Sequence, residues 1–192
     1  FNGRPMCECY KLQLEHAGVE ATHVMSPDVS WMVDDMTVFL ASVGVRPGYI
    51  FLIPGCAAKH PHKRWPWYAG LASELIARGH QVVTAPGPDE IELCKSIPGI
   101  TLLGPKGFLD WFKLAGVIRA AAFVVGNDTG PSHVAACLNR PGLALFGAIG
   151  SAAKTGILRD NFLALEAAEL NALPVQEVME AILARLPEPP AN

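Results

Sequence analysis

Asp128, Thr129, Gly130 and His133 lie in the short run Gly126–Ala136, and their types suit the binding of an anion. Gly126 and Gly130 tolerate positive φ, and Pro131 suits the first turn of a helix. A helix starting there points its free N–H groups back into the turn, where a phosphate is favoured. The Asp128 carboxylate would repel a phosphate set directly on it. It is therefore expected to turn away and accept N–H groups of the loop. His133, in the first turn of the helix, either reaches the same anion or packs as an ordinary helix residue. The bland alternative for the whole run is a tight turn that merely links two elements.

A second group stands upstream. Lys59, Lys63 and Arg64 gather just before Pro66, where another helix is expected. Cations oppose the dipole at a helix N-terminus, so this placement makes sense if something negative binds between them. A solvated basic loop is the alternative. Glu90 follows the turn Ala85–Pro88. A carboxylate at such a strand end can accept both hydroxyls of a ribose, or it is simply an acid favoured by a helix dipole. Helix N–H groups together with an ammonium are what a departing diphosphate requires.

These residues need a frame. Apolar runs predict strands near 49–53, 80–85, 100–103, 121–125 and 142–146. Helix-length segments separate them, near 66–78, 88–96, 108–120, 131–138 and 175–186. Trp67, Leu71, Leu75 and Arg78 fall near helical spacing, which gives 66–78 one apolar face. Strands apolar throughout, alternating with helices, predict a parallel sheet covered on both faces. The expected fold is α/β, Rossmann-like and doubly wound, with ligands at the C-terminal strand ends. Upstream, a helix is expected over 31–43 with Trp31, Val38 and Leu40 among its apolar positions, ending at Gly44. Val45–Gly48 reads as a linker, and Pro187–Pro190 as a helix stop followed by a tail.

The chain has 192 residues, room for one good-sized α/β domain and a remnant of another. A net charge of −3 argues against a general nucleic-acid binder, which needs a broad basic surface. No apolar run approaches the roughly 20 residues that span a bilayer. Cys7, Cys9, Cys56, Cys94 and Cys137 are odd in number and irregular in spacing, which fits a reducing cytoplasm better than a disulfide framework. Cys7 and Cys9 with His60 and His62 match no familiar zinc spacing. There is no Asp-x-Asp motif, which disfavours a metal-dependent transferase.

Taken in order, Pro54-Gly55, Lys63-Arg64-Trp65-Pro66, Gly87-Pro88-Asp89-Glu90, the run Asn127–Ala136 and Leu145-Phe146-Gly147 resemble the C-terminal half of glycosyltransferase family nine. These are the ADP-heptose:lipopolysaccharide heptosyltransferases and their relatives. The resemblance covers roughly residues 48–160, and more weakly 23–47. It implies the GT-B arrangement, two Rossmann-like domains facing across a cleft. Residues 1–47 would be a remnant of the N-terminal, acceptor-side domain and linker, and 48–192 the nucleotide-sugar-binding domain.

The resemblance also implies an inverting transfer of heptose or a related sugar from an ADP-sugar. The acceptor would be the lipopolysaccharide core or a similar glycan or glycolipid. No cofactor and no metal are implied beyond the donor itself. The setting would be cytoplasmic, with peripheral contact at the inner membrane. Thr129 and Gly130 would offer backbone N–H groups to the diphosphate, Lys63 a point charge for the leaving group, and Asp128 and His133 would stand at the same donor site. Glu90, chosen over Asp89, would hold the ribose. The loop Gly104–Phe108 would meet adenine, while Phe108 and Leu109 read first as core.

Two departures stand out. Cys56-Ala57-Ala58 replaces a hydroxyl residue that family members often carry after the first Pro-Gly. The family's catalytic base is an aspartate beside a Gly-rich loop in the N-terminal domain, and Asp34-Asp35 stands in a different context. The base is left unassigned. Rival readings are a non-catalytic nucleotide- or phosphate-binding module, or another sugar-nucleotide enzyme such as a 2-epimerase.

Overall fold

Strands that are apolar on both faces need cover on both faces, and the topology supplies it. The computed structural model describes residues 3–186, so the expected tail at Pro187–Pro190 lies outside it. The strands are β1 Ile50–Ile53, β2 Val82–Thr84, β3 Ile100–Thr101, β4 Phe123–Asn127, β5 Gly142–Phe146 and β6 Phe162–Glu166. They form a 6-stranded parallel sheet in the order β3-β2-β1-β4-β5-β6. The chain starts at the centre, winds out to β3, crosses back to β4 and winds out to β6. That reversal makes the C-terminal ends of β1 and β4 the crevice where such folds take ligands.

Every residue of β1, β4 and β5 is buried. Alternation along β1 sends Ile50 and Leu52 to one side, with Trp65, Leu71 and Val178. Phe51 and Ile53 go to the other, with Ala115, Ile118 and Phe146. The helices are α1 Met6–His16, α2 Thr37–Ser42, α3 Tyr68–Ala77, α4 Ile91–Lys95, α5 Trp111–Ala120, α6 Gly130–Cys137, α7 Ala152–Thr155 and α8 Val175–Leu183. Helices α3 and α8 cover the first face. Helices α5 and α6 cover the second, joined by Met36, Leu40 and Val45 from the N-terminal segment. No helix among the described residues is long and apolar enough to cross a membrane.

The expected strand and helix order from 49 onward is present, with ends displaced by a few residues. Some details differ. The apolar face of α3 is Tyr68, Leu71, Ala72 and Leu75, whereas Trp67, just before the helix, is 48% exposed. The expected helix over 31–43 is a single tight turn at Ser30–Met32, then α2 alone. There the Asp35 carboxylate accepts the Thr37 N–H (2.9 Å), which starts α2 late. Strand β6 and helices α1 and α7 are present beyond the expected elements.

Candidate functional site

Strands β1 and β4 are neighbours, with Ile53 opposite Gly126, so the segments leaving their C-terminal ends meet. Asn127, fully buried at the end of β4, joins them. Its Nδ2 donates to the carbonyls of Pro54 (2.8 Å) and Gly55 (3.2 Å). Its Oδ1 accepts from the Trp65 N–H (3.1 Å) and the Tyr68 hydroxyl (3.3 Å). A buried amide left unpaired costs about 1–3 kcal/mol, and here both ends are used. No role for Asn127 is expected from the sequence. Its only sequence signal is a polar residue closing an otherwise apolar strand.

The next residues are equally fixed. The Ser132 hydroxyl donates to the Asn127 carbonyl (2.7 Å), and the Asp128 N–H to the Leu145 carbonyl (3.2 Å). Contrary to expectation, neither Gly126 nor Gly130 has positive φ. They are small because neighbours come close. A Cβ on Gly126 would overlap the Ser132 hydroxyl, and one on Gly130 would lie 3.1 Å from the Trp111 indole.

Thr129 precedes α6 in extended conformation, and its carbonyl accepts from the Ser132 (3.0 Å) and His133 (3.3 Å) N–H groups. Pro131 has no N–H. The donors that this helix start can turn to a ligand are therefore those of Thr129 and Gly130.

The Asp128 carboxylate is the main correction. It does not accept the loop N–H groups. Lys63 Nζ donates to its Oδ2 (2.5 Å), and His133 Nε2 lies 3.4 Å from its Oδ1. Lys63 closes a tight turn, Pro61–Lys63, that Asn127 anchors through Trp65. An ammonium brought this close outcompetes a neutral N–H. Burial by itself would raise the Asp128 pKa. The bonds from His133 and Lys63, with the Lys63 charge, outweigh it and hold the carboxyl below its ordinary value.

Two cavities flank this turn. The larger, about 580 Å³, is bounded by the segments after β1 and β2, the start of α5, and Thr129–Pro131. That is within the usual range for a small-molecule site. Glu90 stands in its wall with its Oε2 accepting the Gly87 N–H (2.9 Å). The carboxylate lies so close to Gly55 that a Cβ there would overlap it, which explains the glycine of the Pro-Gly pair. Phe108 is half-buried in the same wall, and Leu109 belongs both to the wall and, as expected, to the core. Of the three cations expected to surround an anion, Lys59, Lys63 and Arg64, it is Arg64 that lines this cleft.

The smaller cavity, about 150 Å³, is lined by Lys63 and Asp128 together with His62, Gly147, Gly150 and Glu169. Glu90, Thr129 and Gly130 thus share the large cleft, while Lys63 and Asp128 face the small one. His133 is held to Asp128 and lines neither. Among the described residues, no group of three or more His, Cys, Asp or Glu gathers as metal ligands would.

The sequence model of glycosyltransferase family 9 (heptosyltransferase) matches residues 11–181. No curated protein sequence matches the chain. Among solved structures, E. coli ADP-heptose LPS heptosyltransferase II is 28% identical with a TM-score of 0.66, covering 78% of this chain and 50% of that one. E. coli heptosyltransferase WaaC with ADP is 23% identical with a TM-score of 0.66, over 91% and 54%. The family 9 glycosyltransferase from Veillonella parvula DSM 2008 is 21% identical with a TM-score of 0.80, over 96% and 60%. The last two speak for the fold alone. The chain spans 50% to 60% of the length of these structures.

Proposed function

Because the chain belongs to glycosyltransferase family 9, we propose that it carries the donor-binding half of an inverting heptosyl transfer. The donor is ADP-heptose or a related ADP-sugar, and the acceptor a lipopolysaccharide core or similar glycan. One observation carries this reading: a ribose-type carboxylate, Glu90, and a helix N-terminus open into the same cleft at the switch point of the sheet. The name of the 28% identical neighbour, which includes ADP-heptose, supports the choice of donor.

Transfer breaks the bond between the anomeric carbon and the diphosphate oxygen, and negative charge gathers on the departing ADP. The N–H groups of Thr129 and Gly130 meet that charge, and well-aimed donors of this kind are worth about 3–4 kcal/mol each in other enzymes. Lys63 adds positive charge at the same turn. Glu90 accepts the ribose hydroxyls. Asp128 fixes Lys63 and, with His133, forms the wall we assign to the sugar, beside the small cavity. The proton of the acceptor hydroxyl goes to a base that we do not place among these residues. Such a domain works in the cytoplasm, at the inner face of the membrane that carries its acceptor.

Titration calorimetry with ADP, UDP, GDP and adenosine tests the reading. ADP should bind best, with a Kd in the micromolar to millimolar range, about −8 to −4 kcal/mol. A preference for UDP or GDP would move the assignment to another donor. Binding of none would remove it.

A further inference from the structure

We propose that Arg64 is a phosphate-binding residue of the large cleft, a second cation for the donor diphosphate beside Lys63. The inference rests on the donor reading above and deepens it.

The two cations are adjacent in sequence but face different spaces. Lys63 lies against Asp128 and lines the small cavity, so its charge is already met by a carboxylate. Arg64 lines the large cleft, which also holds Glu90, Thr129 and Gly130. Among the described residues of that lining it is the one cation, against Asp89, Glu90 and Asp110. A diphosphate entering this cleft meets three carboxylates, of which, among the described residues, only Asp110 is paired with a lysine, Lys113. Without a cation inside, it would be repelled from the wall that is to hold its ribose.

The Arg64 guanidinium is also under-used. Of its five N–H donors, one makes a side-chain bond, Nη2 to the Cys56 carbonyl at 3.3 Å. Its Nε is buried with no partner among the described residues. Arg140 Nε shares that lack, but Arg140 is elsewhere, bound to the Ala121 carbonyl. A half-buried guanidinium with free donors at the edge of a cleft is built for a planar or tetrahedral oxyanion, which it can grip with two N–H groups at once. Its position is also defined. Trp65, the next residue, is fully buried and tied to Asn127, so the backbone that presents Arg64 is as rigid as the turn it serves.

Arg64→Met keeps the apolar stem and removes the charge. Calorimetry with ADP and adenosine on wild type, Arg64→Met and Arg64→Lys separates the roles. Arg64→Met should weaken ADP about ten- to hundredfold and leave adenosine unchanged, since adenosine has no phosphate. Arg64→Lys should recover part of the loss. The dependence of ADP affinity on salt should also be shallower in Arg64→Met. Unchanged adenosine affinity shows that the variant cleft is folded. ADP affinity equal to wild type in Arg64→Met would overturn the proposal, as would equal loss for ADP and adenosine. Wild type that binds no ADP would remove the donor reading itself, and this one with it.

Discussion

Asp128 shows how much a single residue can hide in a sequence. Its carboxylate lies 8% exposed between Lys63 and His133, and the Lys63 partner comes from 65 positions upstream. Helix logic points to free N–H groups at this turn, and the family resemblance to those of Thr129 and Gly130, because both work on local sequence. Neither could show which distant cation would reach Asp128. The same limit hid Asn127, whose four partners lie 59 to 73 positions away.

Asp128 has a titration consequence. A carboxyl held below its unfolded value of about 3.9 stabilises the fold above that pH. The stabilisation is lost as pH falls through the lowered folded value. Asp128→Asn, which leaves Lys63 unpaired, should cost about 1–2 kcal/mol at pH 7, less than a deeply buried pair because Lys63 keeps some solvent. In urea unfolding, the gap between wild type and variant should narrow as pH drops below about 4. A gap that does not narrow at all as pH falls from 7 through the acid range would mean that the loss does not come from the charge of the carboxylate.

At the scale of elements, the site is two strand ends drawn together. Gly55 and Glu90 follow different strands, β1 and β2, and come to share one point in space. Gly55→Ala would push the Glu90 carboxylate off the Gly87 N–H. The carboxylate is the far end of a flexible chain, so stability should change by only about 1 kcal/mol. Adenosine and ADP should weaken together, by about three- to tenfold, because the ribose contact serves both. Arg64→Met, by contrast, should weaken ADP alone. Selective loss of ADP in Gly55→Ala would contradict the ribose assignment of Glu90.

The elements themselves were legible to the extent that they were apolar. Strands β1, β4 and β5 are buried throughout, so their runs stand out in the sequence. Strand β6 is an edge strand, half-exposed along Leu163–Leu165, and its Phe-Leu-Ala-Leu-Glu ends in a charge, so it does not read as a fully buried run. Helix α1 has no buried residue and therefore no apolar stripe to read. The turn glycines were placed well but for the wrong reason. Close packing against Ser132 and Trp111, which needs the fold to be known, sets their size.

At the scale of the whole molecule, one sheet with one switch point gathers the candidate donor site on a single edge. The chain spans 50% and 54% of the length of two of its structural relatives. The central claim is that the start of α6 receives the donor diphosphate. Amide spectra of the 15N-labelled chain, recorded with ADP and with adenosine, address it directly. Saturating ADP should shift the Thr129 and Gly130 N–H resonances strongly, and adenosine should leave them nearly in place while moving residues near Glu90. Binding of ADP with the Thr129 and Gly130 amides unmoved would contradict the account.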